Sequence, residues 1–153
     1  MVITLDSNVL IYAYNKDTEH KRTIASGLIL RAMAEPSRLV LTLQALGEFY
    51  RVATRKQKET PDRVKQAISR LHAVFAIATP MPSAIFEAID ANRDHGIQYW
   101  DAMMWATARQ IGASHILSED LQDGRSLGGV TFVNPFNEAN TGLVDRLLPP
   151  VQP

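Results

Sequence analysis

The chain has 153 residues, a length typical of one domain that buries its own hydrophobic core. It contains no cysteine, which excludes a disulfide framework, a thiolate metal site and a cysteine nucleophile. Sixteen Lys and Arg residues balance sixteen Asp and Glu residues, which argues against a nucleic-acid binder that relies on overall positive charge.

Apolar runs of strand length alternate with longer stretches of helical periodicity. In chain order they predict a strand at Val2–Leu5, a helix at Arg22–Ala34, a strand at Leu39–Thr42, helices at Gln44–Arg55 and Pro61–Leu71, a strand at Phe75–Ala78, helices at Ser83–Arg93 and Trp100–Ile111, strands at His115–Leu117 and Val130–Val133, and a short helix near Leu143–Leu148. Helices between strands that lack polar alternation indicate a mostly parallel sheet covered on both faces. We expect one domain over residues 1–153, with a frayed end in the tail after about residue 137.

Two acidic residues directly follow predicted strands. Asp6 comes after the first strand, and Asp120 lies in the polar segment after the fourth strand. Open parallel sheets bind ligands outside the carboxyl ends of their strands. The two carboxylates are therefore expected to face one crevice.

Two further acids lie within predicted helices. Glu48 follows the second strand, and Asp101 is a lone carboxylate in an otherwise apolar segment. Two like charges about 4 Å apart repel by about 4 kcal/mol at an effective dielectric of ~20. Four converging carboxylates would therefore need a cation such as Mg²⁺ or Mn²⁺, and a site of that kind suits phosphodiester hydrolysis.

Each acid by itself also has an ordinary structural explanation. Asp6 suits a helix N-cap, and Asp101 suits the first turn of a helix, where a negative charge complements the dipole. Glu48 suits a solvated helix face, whereas Asp120 and Asp123 suit a turn. The hypothesis of one metal site depends on the joint pattern of the four acids.

Four acidic motifs follow one another along the chain. They read Leu5-Asp6-Ser7-Asn8, Gln44-Ala45-Leu46-Gly47-Glu48-Phe49-Tyr50, Tyr99-Trp100-Asp101-Ala102 and Leu117-Ser118-Glu119-Asp120-Leu121-Gln122-Asp123-Gly124. In this order and spacing they resemble the motifs of PIN-domain ribonucleases, and among these the VapC-type toxins of type II toxin–antitoxin systems. The resemblance covers nearly the whole chain. Gly47 and Ser118 depart from residues common among relatives, but neither change removes a carboxylate.

The resemblance implies a three-layer α/β/α sandwich around a mostly parallel five-stranded sheet. It also implies an endoribonuclease that uses Mg²⁺ or Mn²⁺, acts as a toxin on an RNA substrate, and is blocked by a cognate antitoxin protein. Asp6, Glu48, Asp101 and Asp120 become the catalytic and metal-binding acids, with Asp123 as a candidate fifth metal ligand. Apolar faces of the helices at 22–34 and 61–71 are candidates for binding the antitoxin or a second copy of the chain in a homodimer.

Other polar residues are candidates for supporting this site. Asn8 and Ser118 suit hydrogen bonds that orient the acids, although capping and turn roles explain them equally well. Arg51 and Arg55 lie three and seven residues after Glu48, so they can share its helix face and hold RNA phosphates. The alternative for both arginines is a solvated helix face. The aromatic and methionine residues in and directly after the third motif are interpreted as core: Tyr99, Trp100, Met103, Met104 and Trp105.

Two other functions are alternatives to the nuclease. A catalytically silent RNA-binding or scaffolding domain would typically have lost some of the acids, and all four are present. A phosphatase with Asp6 as a covalent nucleophile needs a second acid two residues later, where this chain has Asn8. The first residues lack a basic leader, and no apolar stretch approaches the ~18 residues that span a bilayer. We therefore expect a cytoplasmic protein without a membrane segment.

Overall fold

The computed structural model describes residues 1–151. The strands are β1 (Ile3–Leu5), β2 (Val40–Thr42), β3 (Ala76–Ala78), β4 (His115–Leu117), β5 (Ser126–Leu127) and β6 (Val130–Val133). The helices are α1 (Ser7–Tyr14), α2 (Glu19–Ala34), α3 (Leu43–Arg55), α4 (Pro61–Val74), α5 (Ala84–His95), α6 (Tyr99–Gln110) and α7 (Thr141–Leu147). Short 3₁₀ turns at Pro36–Arg38 and Glu138–Asn140 precede β2 and α7.

The strands are ordered β3-β2-β1-β4-β6-β5, and every pairing except that of β5 is parallel. A single parallel bridge between Ile3 and Leu39 joins the two-stranded part, β2 and β3, to the four-stranded part. The predicted α/β class and all five predicted strands are confirmed. The structure differs from the predicted continuous five-stranded sheet, because only that bridge joins its two-stranded and four-stranded parts. It also has a sixth strand, β5, whose two residues are too few for any periodic pattern.

Helices cover both faces of this sheet and create two hydrophobic cores. Leu117 and Val133 belong to the core beneath α1–α4 and α7, whereas Ile116 and Phe132 belong to the core beneath α5 and α6. Each of these four side chains is at most 1% exposed. Successive strand residues therefore point to opposite, equally apolar layers, which explains why polar alternation is missing. The predicted three-layer α/β/α arrangement is confirmed.

Polar caps place two of the helices immediately after the segments that precede them. Thr42 ends β2, and its Oγ1 accepts a hydrogen bond from the Ala45 backbone N–H at 3.1 Å, so α3 begins at once. Thr60 caps α4 in the same way, with Pro61 at the first helical position. The cap at Thr42 fixes where Glu48 will lie relative to the end of β2.

The prediction that the third motif is all core was wrong for Trp100. Met104 and Trp105 are 2% and 5% exposed, as expected for core residues, but Trp100 is 57% exposed. Position 100 has the same helical phase as Met104, so periodicity cannot distinguish them. They differ because Trp100 lies in the first turn of α6, next to the polar side chain of Gln44.

Only one of the two helix faces proposed for partner binding is apolar and exposed. On α2, Leu30 and Met33 are 61% and 47% exposed. On α4 the prediction was wrong, because Val64 and Leu71 are buried in the core that this helix shares with α3. A second exposed apolar patch lies instead on α5, at Ile85, Phe86 and Ile89.

The tail is packed rather than frayed over most of its length. The short helix expected near residues 143–148 is present as α7, and its Val144 and Leu147 are buried in the core beneath α1 to α4. The last part of the predicted frayed end, Gln152 and Pro153, lies outside the described residues. Within residues 1–151, no helix is both long enough and apolar enough to cross a membrane.

Candidate active site

The site lies at the point where the order of strands reverses. β1 has β2 on one side and β4 on the other. The strands β2 and β3 extend the sheet from one side of β1, and the later strands β4 to β6 extend it from the other side. The backbone N–H of Asp6 donates to the carbonyl oxygen of Leu117 at 2.9 Å, so β1 and β4 end side by side. Open α/β sheets bind ligands in the crevice at such a switch point. Asp6 and the segment after β4 both enter this crevice.

Asp6 is the most buried of the four acids, with 5% of its surface exposed. It caps α1 through Oδ1, which accepts from the Ser7 backbone N–H at 2.6 Å, and its Oδ2 accepts from Ser118 Oγ at 2.7 Å. Burial raises the pKa of Asp6, these hydrogen bonds lower it, and the charges of Asp120 and Glu48 raise it further, so the net shift is upward. The Asp6 side chain therefore both caps α1 and belongs to the acidic cluster.

Two short polar side chains link Asp120 and Glu48 to Asp6. The amide nitrogen of Asn8 donates to Asp6 Oδ2 at 3.0 Å and to Asp120 Oδ2 at 3.1 Å. Ser7 Oγ lies 2.7 Å from Glu48 Oε2 and 3.3 Å from Asp6 Oδ1, and its single proton goes to the shorter contact. The hydrogen bonds expected from Asn8 and Ser118 are present. Ser7 is an additional link that the sequence analysis did not single out.

Gln44 connects the helix that carries Glu48 to the helix that carries Asp101. Its Nε2 donates to Glu48 Oε1 at 3.0 Å and to the backbone carbonyl of Trp100 at 2.9 Å. Gln44 was not among the residues predicted for the site, although it precedes Glu48 by four positions and so shares its helix face. The contact fixes the separation of α3 and α6 at the crevice.

Asp101 completes the group through charge rather than through hydrogen bonds. Its pKa is raised to about 6, first by burial and then by the charges of Asp6, Asp120 and Glu48. No hydrogen bond offsets these effects. The dipole at the start of α6 favours the ionised form of Asp101, so burial and repulsion outweigh it. The structure thus brings together all four acids predicted from the sequence.

Asp123 does not join this cluster. Both of its oxygens accept from Asn140 Nδ2 at 2.8 and 2.9 Å, and they also accept from the Asn134 backbone N–H and Asn137 Nδ2, each at 2.9 Å. It is not among the charges that raise the pKa of Asp6 or Asp101. Asp123 instead ties the segment after β4 to the segment after β6, so we do not retain it as a fifth ligand.

The Asp123→Ala variant is expected to be less stable by about 1–2 kcal/mol, because it loses several hydrogen bonds to a charged but exposed acceptor. Partial burial raises the pKa of Asp123, but hydrogen bonds from Asn134, Asn137, Asn140 and Gly124 lower it below its usual value. The stabilisation is therefore present above pH 4 and is lost as the pH falls through the lowered pKa. Urea unfolding at pH 7 and pH 3 measures both effects, with the neighbouring Gln122→Ala as the control. Equal stability of the two variants at pH 7 would contradict this role.

Glu119 lies next to Asp120 but is engaged outside the cluster. It forms a salt bridge with Lys21 at 2.6 Å and accepts a hydrogen bond from the Tyr12 hydroxyl. The Lys21 ammonium also lies 4.5 Å from the centre of the Tyr12 ring. These contacts with α1 and α2 anchor the segment that carries Asp120.

Both candidate RNA-binding arginines are exposed on the α3 helix. Arg51 lines a cleft of about 450 Å³ together with Ser7, Glu48 and Trp100. Arg55 follows one turn later, at the end of α3. The structure thus places a positive charge at the edge of the acidic cluster and a second one further along the same helix.

The donor set fits a hard divalent cation. All four charged groups offer carboxylate oxygens, Asp6 Oδ1 keeps a free lone pair when Ser7 donates to Glu48, and Asn8 Oδ1 is buried without a hydrogen-bond partner. Across the described part of the chain, no group of three or more His, Asp or Glu side chains is arranged to hold an ion by itself. Mg²⁺ often uses one or two carboxylates and completes its shell with water and phosphate. The arrangement fits such an open site rather than a closed protein cage.

These features define a three-layer α/β/α protein with an acidic centre at its switch point. The chain belongs to the PIN domain family, whose sequence profile matches residues 3–122. The matched span includes all four acids of the cluster and ends before Asp123. Comparison with curated protein sequences gives no match.

Solved structures of low sequence identity share this fold. The toxin VapC20 of Mycobacterium tuberculosis, described as cleaving the sarcin–ricin loop, has 20% identity and a TM-score of 0.60, covering 80% of this chain and 90% of its own. A toxin–antitoxin complex from Klebsiella pneumoniae has 18% identity and a TM-score of 0.61, covering 87% and 97%. The DNA-bound VapBC complex of Salmonella typhimurium has 17% identity and a TM-score of 0.61, covering 86% and 96%.

Proposed function

We propose that this protein is a Mg²⁺- or Mn²⁺-dependent endoribonuclease that acts as the toxin of a toxin–antitoxin pair. The observation that carries the proposal is the convergence of four acids at the switch point, where burial and then mutual repulsion raise the pKa of Asp101 to about 6. Such a cluster destabilises the fold when no cation is bound, so a purely structural role does not account for it. Membership of the PIN domain family and the fold shared with VapC toxins support the same function.

Each polar residue has a distinct part in this proposal. Asp6, Glu48, Asp101 and Asp120 would hold the ion, which would activate a water molecule and neutralise charge on the scissile phosphate. Asn8 and Ser118 keep Asp6 and Asp120 aligned, and Ser7 does the same for Glu48. In the metal-free protein the raised pKa of Asp101 favours its protonated form, so binding of the cation would have to displace this proton.

The direct test is cleavage of a labelled RNA whose two ends are chemically blocked. We expect internal cleavage with Mn²⁺ or Mg²⁺, since blocked ends stop enzymes that digest from a terminus. Binding of the blocked RNA without any cleavage in either metal would favour the silent RNA-binding alternative. Hydrolysis of a small phosphomonoester in its place would favour the phosphatase. The phosphatase is disfavoured by Asn8, whose amide holds Asp6 and Asp120 where a second catalytic acid would be needed.

A protein partner follows from the same proposal. The relatives from Klebsiella pneumoniae and Salmonella typhimurium were solved as complexes with their antitoxins. We propose a cognate antitoxin for this chain, with the exposed Leu30 and Met33 of α2 as part of a surface for it or for a second copy in a homodimer. Titration with the product of the neighbouring gene should inhibit RNA cleavage. Undiminished cleavage in the presence of that product would count against the toxin assignment.

Replacing Arg51 or Arg55 by alanine is expected to weaken RNA binding and to reduce its salt dependence. A lost contact with one phosphate of a single strand lowers the slope of log K against log salt by about 0.7. The effect should be larger for Arg51, because it lines the cleft beside Glu48. Binding titrations from low to high salt measure the slope, with Arg93→Ala as a control of equal charge change on α5. A wild-type slope in both variants would refute the assignment.

A further inference from the structure

The cleft beside the acidic cluster has an aromatic wall that the proposed chemistry does not use. One side is the face of α3 that carries Gln44, Gly47 and Arg51, and the other is Trp100 in the first turn of α6. Trp100 is 57% exposed, although tryptophan is among the residues with most apolar surface to bury. The cleft is continuous with the acidic site, because Ser7 and Glu48 line both.

Tyr99 contacts the indole ring, and Gln44 holds the backbone of Trp100. The Tyr99 ring packs edge-on against the indole, with ring centres 5.1 Å apart and planes at 70°. The backbone carbonyl of Trp100 is held by the Gln44 side chain at 2.9 Å. An exposed aromatic ring with restricted orientation offers a flat surface for stacking at little entropic cost.

The absence of a side chain at position 47 keeps the cleft open. Gly47 lies in the middle of α3, where glycine is unfavourable for helix stability. A Cβ built at this position meets no atom within 4 Å, so packing does not require glycine here. The space that a side chain would occupy belongs to the cleft that Gly47 lines.

The chemistry of the lining matches a neutral flat ring with polar edges. Glu48 disfavours a phosphate inside the cleft, whereas Arg51 provides a positive charge for a phosphate at its rim. We propose that this cleft receives one unpaired nucleobase of the RNA, stacked on Trp100 and adjacent to the phosphate bound at the acidic site. Unpaired bases are the parts of RNA that proteins recognise by aromatic stacking. The inference depends on the proposed function and assigns a substrate contact to it.

The test separates base binding from cleavage. Binding of a mixed-sequence 12-nucleotide RNA is measured by fluorescence anisotropy in EDTA, beside a 12-unit abasic ribose-phosphate strand of equal charge. Stacking is worth about 1–3 kcal/mol per base, so Trp100→Ala should weaken binding of the RNA about 5- to 150-fold. It should leave binding of the abasic strand unchanged, and Trp100→Phe should restore part of the loss. Phe86→Ala removes an aromatic on α5 that is 69% exposed, and this variant should bind RNA like the wild type.

A second pair of variants distinguishes the loss of a binding contact from misfolding of the Trp100→Ala variant. Gly47→Leu and Gly47→Ala should both raise the melting temperature, since each improves helix propensity. Only Gly47→Leu fills the cleft, so only it should weaken RNA binding. Wild-type binding by both Trp100→Ala and Gly47→Leu would overturn the inference, as would an equal loss of binding for the abasic strand. If the variants contradict the nucleobase cleft but the blocked RNA is still cleaved, the proposed nuclease function stands. If binding depends on the bases but no RNA is cleaved, the nucleobase cleft stands and the nuclease function is rejected.

Discussion

The Asp101→Asn variant is expected to fold more stably than the wild type without metal and to lose RNA cleavage. Asparagine keeps the shape of the side chain but removes a charge that burial and three other acids disfavour. A shift of the pKa from 3.8 to about 6 corresponds to about 3 kcal/mol, and solvent screening reduces the expected gain to about 1–2 kcal/mol at pH 7.5. Cleavage should fall by at least about 10- to 100-fold, because a metal ligand is lost and the loss of an outer-shell partner alone already has an effect of that size.

The pH dependence of stability gives this prediction a clear sign. Between pH 4 and pH 6 the folded state binds the Asp101 proton more tightly than the unfolded state does. The stability of the metal-free wild type should therefore fall as the pH rises through this window. This part of the slope should vanish in Asp101→Asn. Urea unfolding in EDTA between pH 4 and pH 8 measures it.

Asp17→Asn is the matched control for the Asp101 experiment, because it removes the same charge from an exposed loop position. It should change neither the stability nor the cleavage rate appreciably. A destabilised Asp101→Asn would show that the carboxylate is held by favourable contacts rather than by its neighbours' repulsion. Retained cleavage in a folded Asp101→Asn would remove this residue from the proposed site.

Addition of Mn²⁺ is expected to raise the melting temperature and to be essential for cleavage. A ligand at 100 times its dissociation constant stabilises the folded state by about 2.7 kcal/mol. For a domain of this size that corresponds to a rise of about 5–10 °C. EDTA should abolish cleavage, and excess Mn²⁺ or Mg²⁺ should restore it. Cleavage that persists in EDTA would contradict a metal-dependent mechanism.

The same metal response should depend on pH. Carboxylate ligands must be ionised to bind a cation, and the raised pKa of Asp6 and the pKa of about 6 at Asp101 make protons compete near neutrality. The apparent affinity for Mn²⁺ should therefore decrease as the pH falls below about 6. Calorimetric titrations at pH 5.5 and pH 7.5 test this. An affinity equal at both values would place the ion away from Asp6 and Asp101.

The four acids were easier to predict than the residues that hold them in place. Asp101 stands out in the sequence because a carboxylate in an apolar helical segment needs a partner. Asn8 and Ser118 were identified only as candidates, since short polar residues beside a strand end serve as caps and turns equally often. The position of Asp123 could not be predicted in this way, because its nearness to Asp120 in sequence does not reveal that Asn137 and Asn140 donate hydrogen bonds to its oxygens. The exposure of Trp100 could not be predicted either, since a helix end and a helix centre have the same periodicity.

The sequence by itself determined the alternation of strands and helices, the two-sided burial of the sheet and the four acids, because these follow from local periodicity and from the cost of burying charge. Only the tertiary structure decided which acids meet, that Ser7 and Gln44 connect them, and that Gly47 and Trp100 bound an open cleft. The physical reason is that hydrogen bonds of about 3 Å join residues as far apart in the chain as Asn8 and Asp120. Such contacts depend on the order of strands in the sheet, and no spacing along a single chain encodes that order.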